Sequence, residues 1–264
     1  MELNLLNLTN DNYFSSEASR NYWSVSQFKS FNKCEACGLA EALGNYERPE
    51  TDALLIGSYV DAYFSGELEK FEEERGSQMF KKNGEILAKF AHANDMINRI
   101  ECDPLMCEYL EGEHQTIMTA ELFGVPWKIK TDVYNEKRIV DLKTTKDFED
   151  IYDPAYGFRS WIEYYGYDIQ GAIYTRVEQA VTGRDKPLPF YIAAVTKEKT
   201  PDIKIIHIPE HILDAAFHLV EAKIERFDLI KRGEVEPIRC ERCDYCKSTK
   251  ILTGPEEYEI EEAK

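Results

Sequence analysis

Two short stretches of the sequence, Lys128-Ile129-Lys130-Thr131-Asp132 and Ile139-Val140-Asp141-Leu142-Lys143, decide the fold. Side chains alternate across a β-strand with a period of two, and both stretches alternate charged with apolar residues. In the second stretch, the Val and Leu are expected to face a core, and the Asp and Lys to face the opposite side together. Around the first stretch, Trp127, Ile129 and Val133 are expected to share one core face.

The charged faces of these two strands predict a metal site. A turn centred on Glu136-Lys137 would place Asp132 directly opposite Asp141, and Lys130 opposite Lys143. Opposed cross-strand side chains sit about 4.5–5.5 Å apart, and like charges at that separation repel each other. Two such carboxylates are best tolerated when a cation lies between them, and Mg²⁺ binds carboxylate and phosphate oxygens together.

Several motifs together resemble the PD-(D/E)XK nuclease superfamily. Asp132 followed by Asp141-Leu142-Lys143 is similar to its D…(D/E)xK core. Gln170-Gly171-Ala172-Ile173-Tyr174 is similar to the Q-x-x-x-Y motif of the RecB-like and RecE-like phage exonuclease branch. With the cysteines described below, the motifs run from about residue 24 to residue 249. The resemblance implies an α/β fold, with a mixed central β-sheet flanked by helices in a restriction-endonuclease-like core.

The same resemblance implies roles for these residues. Asp132 and Asp141 would bind Mg²⁺ or Mn²⁺, which lowers the pKa of a bound water and neutralises phosphate charge. Lys143 would position that water or stabilise developing charge. Gln170 and Tyr174, four residues apart on one helix face, would lie beside the site and contact DNA or orient the lysine. From the residues alone, an ion-paired surface hairpin and an ordinary amphipathic helix remain open.

A third acidic residue is a candidate metal ligand. Asp61, within Gly57–Ala62, stands where related exonucleases have a helix that carries a metal-binding His. Hard divalent cations favour oxygen ligands, so an Asp can serve there. A solvent-facing helix Asp is the open alternative.

The cysteines form the second strong pattern. Cys240, Cys243 and Cys246 have the spacing C-x-x-C-x-x-C, and Cys34 and Cys37 lie far upstream. One early and three late cysteines resemble AddB-like and CRISPR-associated RecB-like nucleases, which implies a [4Fe–4S] cluster with Cys34 as the fourth ligand and Cys37 as the alternative. Tetrahedral Zn²⁺ fits the two C-x-x-C pairs as well, and plain reduced thiols are the third possibility.

Composition limits the function classes. With 32 Lys and Arg against 49 Asp and Glu, the net charge is −17, which argues against a protein that coats nucleic acid through bulk charge. Residues 128–146 are nevertheless locally basic. No apolar run approaches the roughly 18 residues of a membrane span, and no basic stretch followed by an apolar one marks a signal peptide, so we expect a cytoplasmic protein without membrane contact.

The organisation expected is a single nuclease domain over residues 1–264. It has an irregular arm at 1–21, Cys-bearing ends at 22–50 and 236–250 that a metal centre would join, and an acidic tail at 254–264. Periodicity predicts helices at 53–64, 80–99, 168–181 and 211–231, and strands within 114–133 and at 138–144, 189–196 and 203–208.

The function expected from the resemblance is a metal-dependent DNA exonuclease of phage or prophage type. It would hydrolyse phosphodiester bonds at linear DNA ends and supply a single-strand annealing protein. Two alternatives remain open: a non-catalytic DNA- or protein-binding module on a nuclease fold, and a zinc-stabilised interaction protein. Polarity, strand preference, processivity and oligomeric state are not specified by the sequence.

Overall fold

The computed structural model describes residues 6–255. The helices are α1 Ser16–Asn21, α2 Val25–Lys33, α3 Glu35–Ala42, α4 Asp52–Ser65, α5 Leu68–Met79, α6 Ala88–Glu101, α7 Pro104–Tyr109, α8 Trp161–Tyr165, α9 Tyr167–Thr182, α10 Glu210–Lys231 and α11 Asp244–Ser248. The strands are β1 Glu113–Leu122, β2 Val125–Asn135, β3 Arg138–Thr145, β4 Ile151–Asp153, β5 Gly157–Arg159, β6 Phe190–Thr196 and β7 Ile203–Ile208. No helix within residues 6–255 combines the length and apolarity needed to cross a membrane.

The central sheet is mixed, as the sequence predicts. Its five strands have the order β1-β2-β3-β6-β7. β3 and β6 pair in parallel, and the other neighbours pair antiparallel. A parallel pair needs a crossover, and here the chain between the two strands forms the β4–β5 hairpin, α8 and α9. α9 is thereby brought against the strands that carry the acidic residues.

Helices cover both faces of this sheet. On one face, α2, α9 and α10 bury a core that includes Phe28, Ile173 and Phe227. On the other face, α4 and α6 bury a core that includes Val60 and Phe90. The structure is therefore the α/β arrangement expected of a restriction-endonuclease-like fold.

β2 changes face along its length. Trp127 and Ile129 lie in the α9-side core, whereas Val133 lies in the α4-side core. The prediction that these three residues share one core face is therefore wrong. The change falls around Asp132, whose backbone pairs with neither neighbouring strand. Gln115, the β1 residue at that level, has a φ of 54° in the left-handed region, so the ladder is locally distorted there.

The amino-terminal arm is more ordered than predicted. Helix α1 begins after Ser15, whose side chain accepts a hydrogen bond from the Ala18 N–H. The capped helix has only one to two turns, which is too short to show an apolar periodicity in the sequence. The predicted helix at 80–99 is wrong at its start: Phe80 and Ile86 form a bridge around a turn at Gly84, which has a φ of +84°, and α6 follows only at Ala88. Most of the predicted acidic tail, residues 256–264, lies outside the described residues.

Candidate active site and thiol cluster

The β2–β3 hairpin has the predicted register. Asn135 Oδ1 accepts hydrogen bonds from the N–H groups of Lys137 and Arg138 and closes the turn. Asn135 pairs with Arg138, and the pairing continues to Val133 with Val140. The regular ladder stops there, one residue before Asp132 and Asp141 would face each other.

Beyond Val133, β3 donates a hydrogen bond to the side chain of Asp132 instead of to the backbone of β2. Asp132 Oδ2 accepts a hydrogen bond of 2.8 Å from the Leu142 N–H. The same oxygen lies 3.8 Å from Lys143 Nζ. The Asp132 carboxylate is thus fixed against β3.

Asp141 is the most enclosed member of the group, with 1% of its side chain exposed. Its Oδ1 accepts a 2.6 Å hydrogen bond from Gln170 Nε2, and its Oδ2 lies 2.6 Å from Lys143 Nζ. Because Gln170 lies on α9, the helix fixes the orientation of the carboxylate. The predicted residues of the D…DxK and Q-x-x-x-Y motifs are therefore in contact.

Tyr174 ties the same helix to β2. Its hydroxyl donates a 3.0 Å hydrogen bond to the carbonyl oxygen of Lys130, two residues before Asp132. Gln170 and Tyr174 thus contact the two strands of the hairpin separately. This pair of contacts sets the distance between α9 and both acidic residues.

Asp61 lies on α4 and faces the same space. Gln115 Nε2 donates hydrogen bonds of 3.4 and 3.3 Å to its two carboxylate oxygens. Asp61, Asp132 and Gln170 line one cavity of about 850 Å³. The structure therefore brings Asp61 to the same cavity as the hairpin carboxylate Asp132.

The electrostatics of this site favour a cation. Burial raises the pKa of Asp141 to about 7, with a further rise from Asp132 and an opposing effect from Lys143. Burial also raises the pKa values of Asp132 and Asp61. Burial lowers the pKa of Lys143, but its two carboxylate neighbours raise it more, so the lysine stays charged. The charged forms of all three carboxylates are therefore disfavoured here, and a bound cation would relieve this.

The donor set also fits a hard divalent ion. Asp141 Oδ2 is buried and has no hydrogen-bond partner of proper geometry among the described residues, so its contact with Lys143 is ionic. Carboxylate oxygens are the ligands that Mg²⁺ prefers. Asp61 and Asp132, which line the cavity, and the buried Asp141, which shares Lys143 with Asp132, are thus the residues suited to hold such an ion.

Sequence reasoning misses one basic residue of the site. Lys29 on α2 lines the cavity, donates a 3.0 Å hydrogen bond to the Tyr165 carbonyl oxygen and lies 5.4 Å from the ring centre of Tyr167. Burial, and then the charge of Lys143, lower its pKa to about 8. No motif marks this lysine, because it reaches the hairpin only through the packing of α2.

Four cysteines converge at the other end of the domain. The Sγ atoms of Cys34, Cys240, Cys243 and Cys246 all lie within 4.8 Å of one another. Cys34 stands between α2 and α3, and the other three surround the start of α11. Cys37 is excluded from this set, and its Sγ lies 3.7 Å from Glu41 Oε1. The set can hold a metal ion.

The sulfur separations bear on which metal would fit. Four thiolates at the usual Zn–S distance of 2.3 Å in a tetrahedron lie about 3.8 Å apart. Here the Sγ of Cys246 is 3.6 Å from that of Cys34 and 3.9 Å from that of Cys240. A [4Fe–4S] cluster places each thiolate on a different iron and so needs a wider separation. These distances fit a single ion better than a cluster.

The sequence around this site matches a known protein family. Residues 24–249 match the model of a PDDEXK-like domain of unknown function (DUF3799). The chain belongs to this PDDEXK-like family. The match includes the hairpin, α9 and all four clustered cysteines, and it confirms the predicted nuclease superfamily.

A solved structure agrees with the PDDEXK assignment. The crystal structure of a protein from Eubacterium rectale, which carries the provisional name of exonuclease, superposes with a TM-score of 0.90 and is 42% identical in sequence. The alignment covers 96% of this chain and 97% of that one. No curated protein is significantly similar to the chain. The fold and family together support a nuclease.

Proposed function

We propose that this PDDEXK protein is a metal-dependent DNA exonuclease that hydrolyses phosphodiester bonds at DNA ends. The observation that carries the proposal is the convergence of Asp132, Asp141 and Lys143, with Asp141 held by Gln170, beside a cavity that Asp132 and Gln170 line. A site without chemistry would gain nothing from three carboxylates whose pKa values burial raises. The family match and the provisional name of the Eubacterium rectale relative support the same reading.

Each residue has a role in this proposal. Asp132 and Asp141 would hold Mg²⁺ or Mn²⁺, and Asp61 would add a ligand from α4. When bound, the ion supplies an activated water and neutralises charge on the phosphate. Lys143 positions that water or stabilises the developing charge, while Gln170 fixes the carboxylate of Asp141. Tyr174 keeps α9 at the correct distance from β2.

The proposal includes a biological role in DNA recombination. A nuclease that resects linear ends produces single strands for recombination, and a single-strand annealing protein would be its partner. This role rests on the similarity of the Asp132, Asp141-Leu142-Lys143 and Q-x-x-x-Y motifs to those of phage exonucleases. The rival, a non-catalytic module on the same fold, has no need of an intact D…DxK set.

The experiment that tests the proposal uses end-labelled linear duplex DNA and covalently closed circular DNA, with Mg²⁺, with Mn²⁺ or with EDTA. We expect degradation of the linear substrate only, and only with metal. Asp132→Asn and Asp141→Asn should abolish it, whereas Asp150→Asn, at an exposed carboxylate outside the cavity, should not. Cleavage of closed circles would indicate an endonuclease, and full activity of both site variants would refute the proposed site.

For the four-thiol centre we propose a structural Zn²⁺ rather than the [4Fe–4S] cluster that the family resemblance implies. The support is the sulfur separation, which suits one tetrahedral ion. A colourless protein with one zinc per chain, lost in Cys240→Ser, is the expected result. A brown protein with broad absorbance near ~400 nm after anaerobic purification would reverse the choice in favour of the cluster. A colourless, metal-free and fully stable protein would refute both.

A further inference from the structure

One wall of the active-site cavity has no part in the mechanism described above. It is formed by residues 6–15, which we call the N-terminal strap. Asn10, Asp11, Tyr13 and Phe14 of the strap line the same cavity as Asp132 and Gln170. A segment placed beside reacting groups can contact the substrate that reaches them.

The strap is fixed in place by specific contacts. Lys128 Nζ donates a hydrogen bond to the carbonyl oxygen of Tyr13 and lies 4.5 Å from the centre of its ring. Asn12 closes a turn by accepting from the Thr9 N–H at 2.8 Å and donating to the Asn7 carbonyl oxygen at 2.9 Å. Since Lys128 is four residues before Asp132 on β2, the strap is anchored to the strand that carries a site carboxylate.

Two adjacent aromatic residues of the strap differ sharply in exposure. Tyr13 exposes 6% of its surface and anchors the strap, whereas Phe14 exposes 77%. Their rings meet edge to face at 5.0 Å. Lys130 Nζ lies 5.2 Å from the centre of the Phe14 ring. The cavity thus presents an uncovered aromatic ring with a cation beside it.

This combination fits one class of ligand. Single-stranded nucleic acid is bound by aromatic rings on which bases stack and by basic groups that follow the backbone. In a paired duplex the base faces are covered by their neighbours, so a protein ring can stack only where a base is unpaired or terminal. An apolar peptide would cover Phe14 equally well, but it would gain nothing from Lys130 and would face the polar groups of the cavity.

We propose that Phe14 stacks on an unpaired base of a single-stranded DNA end, while Lys130 contacts the adjacent phosphate. This inference rests on the proposed nuclease function and names its substrate more narrowly. The strap would hold the end of the strand in the cavity that Asp132 and Gln170 also line. The protein would therefore bind unpaired ends in preference to blunt duplex ends.

The test measures DNA binding without cleavage. In an Asp141→Asn background, fluorescence anisotropy with a labelled single-stranded oligonucleotide and a blunt duplex gives the dissociation constants. Phe14→Ala should weaken single-strand binding roughly 5- to 150-fold, the range that base–aromatic stacking contributes, and weaken duplex binding less. Phe14→Tyr should retain the affinity. Phe158→Ala is the matched control, because Phe158 is 75% exposed and lies outside the cavity lining.

Three results would overturn the inference: single-strand affinity within twofold of the parent in Phe14→Ala, an equal loss in Phe158→Ala, or an equal loss for the blunt duplex. Thermal unfolding of each variant shows whether the strap change alters the fold. The digestion assay of the wild-type protein tests the nuclease function separately from the stacking role of Phe14. Degradation of DNA combined with a neutral Phe14→Ala refutes the stacking role alone. Phe14-dependent binding without degradation refutes the nuclease alone.

Discussion

Asp141→Asn should stabilise the metal-free protein while it abolishes DNA degradation. Burial raises the pKa of Asp141 from 3.8 to about 7. Each unit corresponds to 1.36 kcal/mol, so the ionised carboxylate lowers the free energy of unfolding by at most about 4 kcal/mol above pH 7. Asn removes this charge but offers one oxygen to two donors, Gln170 and Lys143. Losing one of these contacts costs about 1–3 kcal/mol, so we expect a net gain of at most about 1–3 kcal/mol.

The size of this stability difference depends on pH. At a pH well below 3.8 the Asp141 carboxyl is protonated in both the folded and unfolded states, so its ionisation costs no stability. As the pH rises from about 4 to about 7, the unfolded state releases its proton first and the wild-type protein loses stability. The advantage of Asp141→Asn should therefore be larger at pH 8 than at pH 5 and level off above pH 7.

The assay is urea unfolding of both proteins in EDTA at pH 5 and pH 8, with thermal unfolding as a second readout. At this size each kcal/mol should change Tm by about 2–4 °C. Excess Mg²⁺ should stabilise the wild type much more than the variant, because the ion would lose one of its carboxylates. The exposed Asp150→Asn should change stability by less than about 0.5 kcal/mol. A variant less stable than the wild type in EDTA at pH 8 would refute the reasoning.

Three further predictions concern separate parts of the molecule. Lys143→Met should lower kcat on linear DNA by about 10²–10³-fold, as for loss of one charge-stabilising donor, and a kcat within threefold of wild type would exclude that role. Cys243→Ser should release the metal and lower Tm, as measured by metal analysis and calorimetry, whereas Cys102→Ser, at an exposed thiol, should change neither. Glu178→Ala should destabilise the protein by about 1–3 kcal/mol in urea unfolding, because the buried Glu178 accepts a hydrogen bond of 3.0 Å from Tyr134 and pairs with the partly exposed Arg184 at 2.7 Å. A variant as stable as the wild type would contradict this.

The hairpin could be predicted from sequence because its information is local. Alternation fixes which side chains share a face, and one turn position then sets the register that brings Asp132 towards Asp141. The end of the ladder at Val133 could not be predicted, since it depends on a side-chain oxygen displacing a backbone partner. Because of that local break, Ile129 and Val133 face opposite sides of the sheet, although a period of two would place them on the same side.

Contacts between distant parts of the chain were beyond the sequence patterns. Lys128 and Tyr13 are 115 residues apart, and neither belongs to a motif, so nothing marked the strap as a wall of the cavity. Cys34 is the exception, because the family resemblance indicates it as the fourth thiol ligand and the structure brings it to the other three. The cysteine pattern leaves the choice between one ion and a cluster open, and the sulfur separations bear on that choice.

The hydrogen bond from the Leu142 N–H to Asp132 makes a backbone amide a reporter of the metal site. The acceptor strength of that carboxylate changes when its other oxygen binds a cation or a proton. The amide hydrogen of Leu142 would register this change in its chemical shift and in its rate of exchange with solvent. A single resonance in the middle of a central strand would thus follow metal loading and pH in solution, without any label placed in the site.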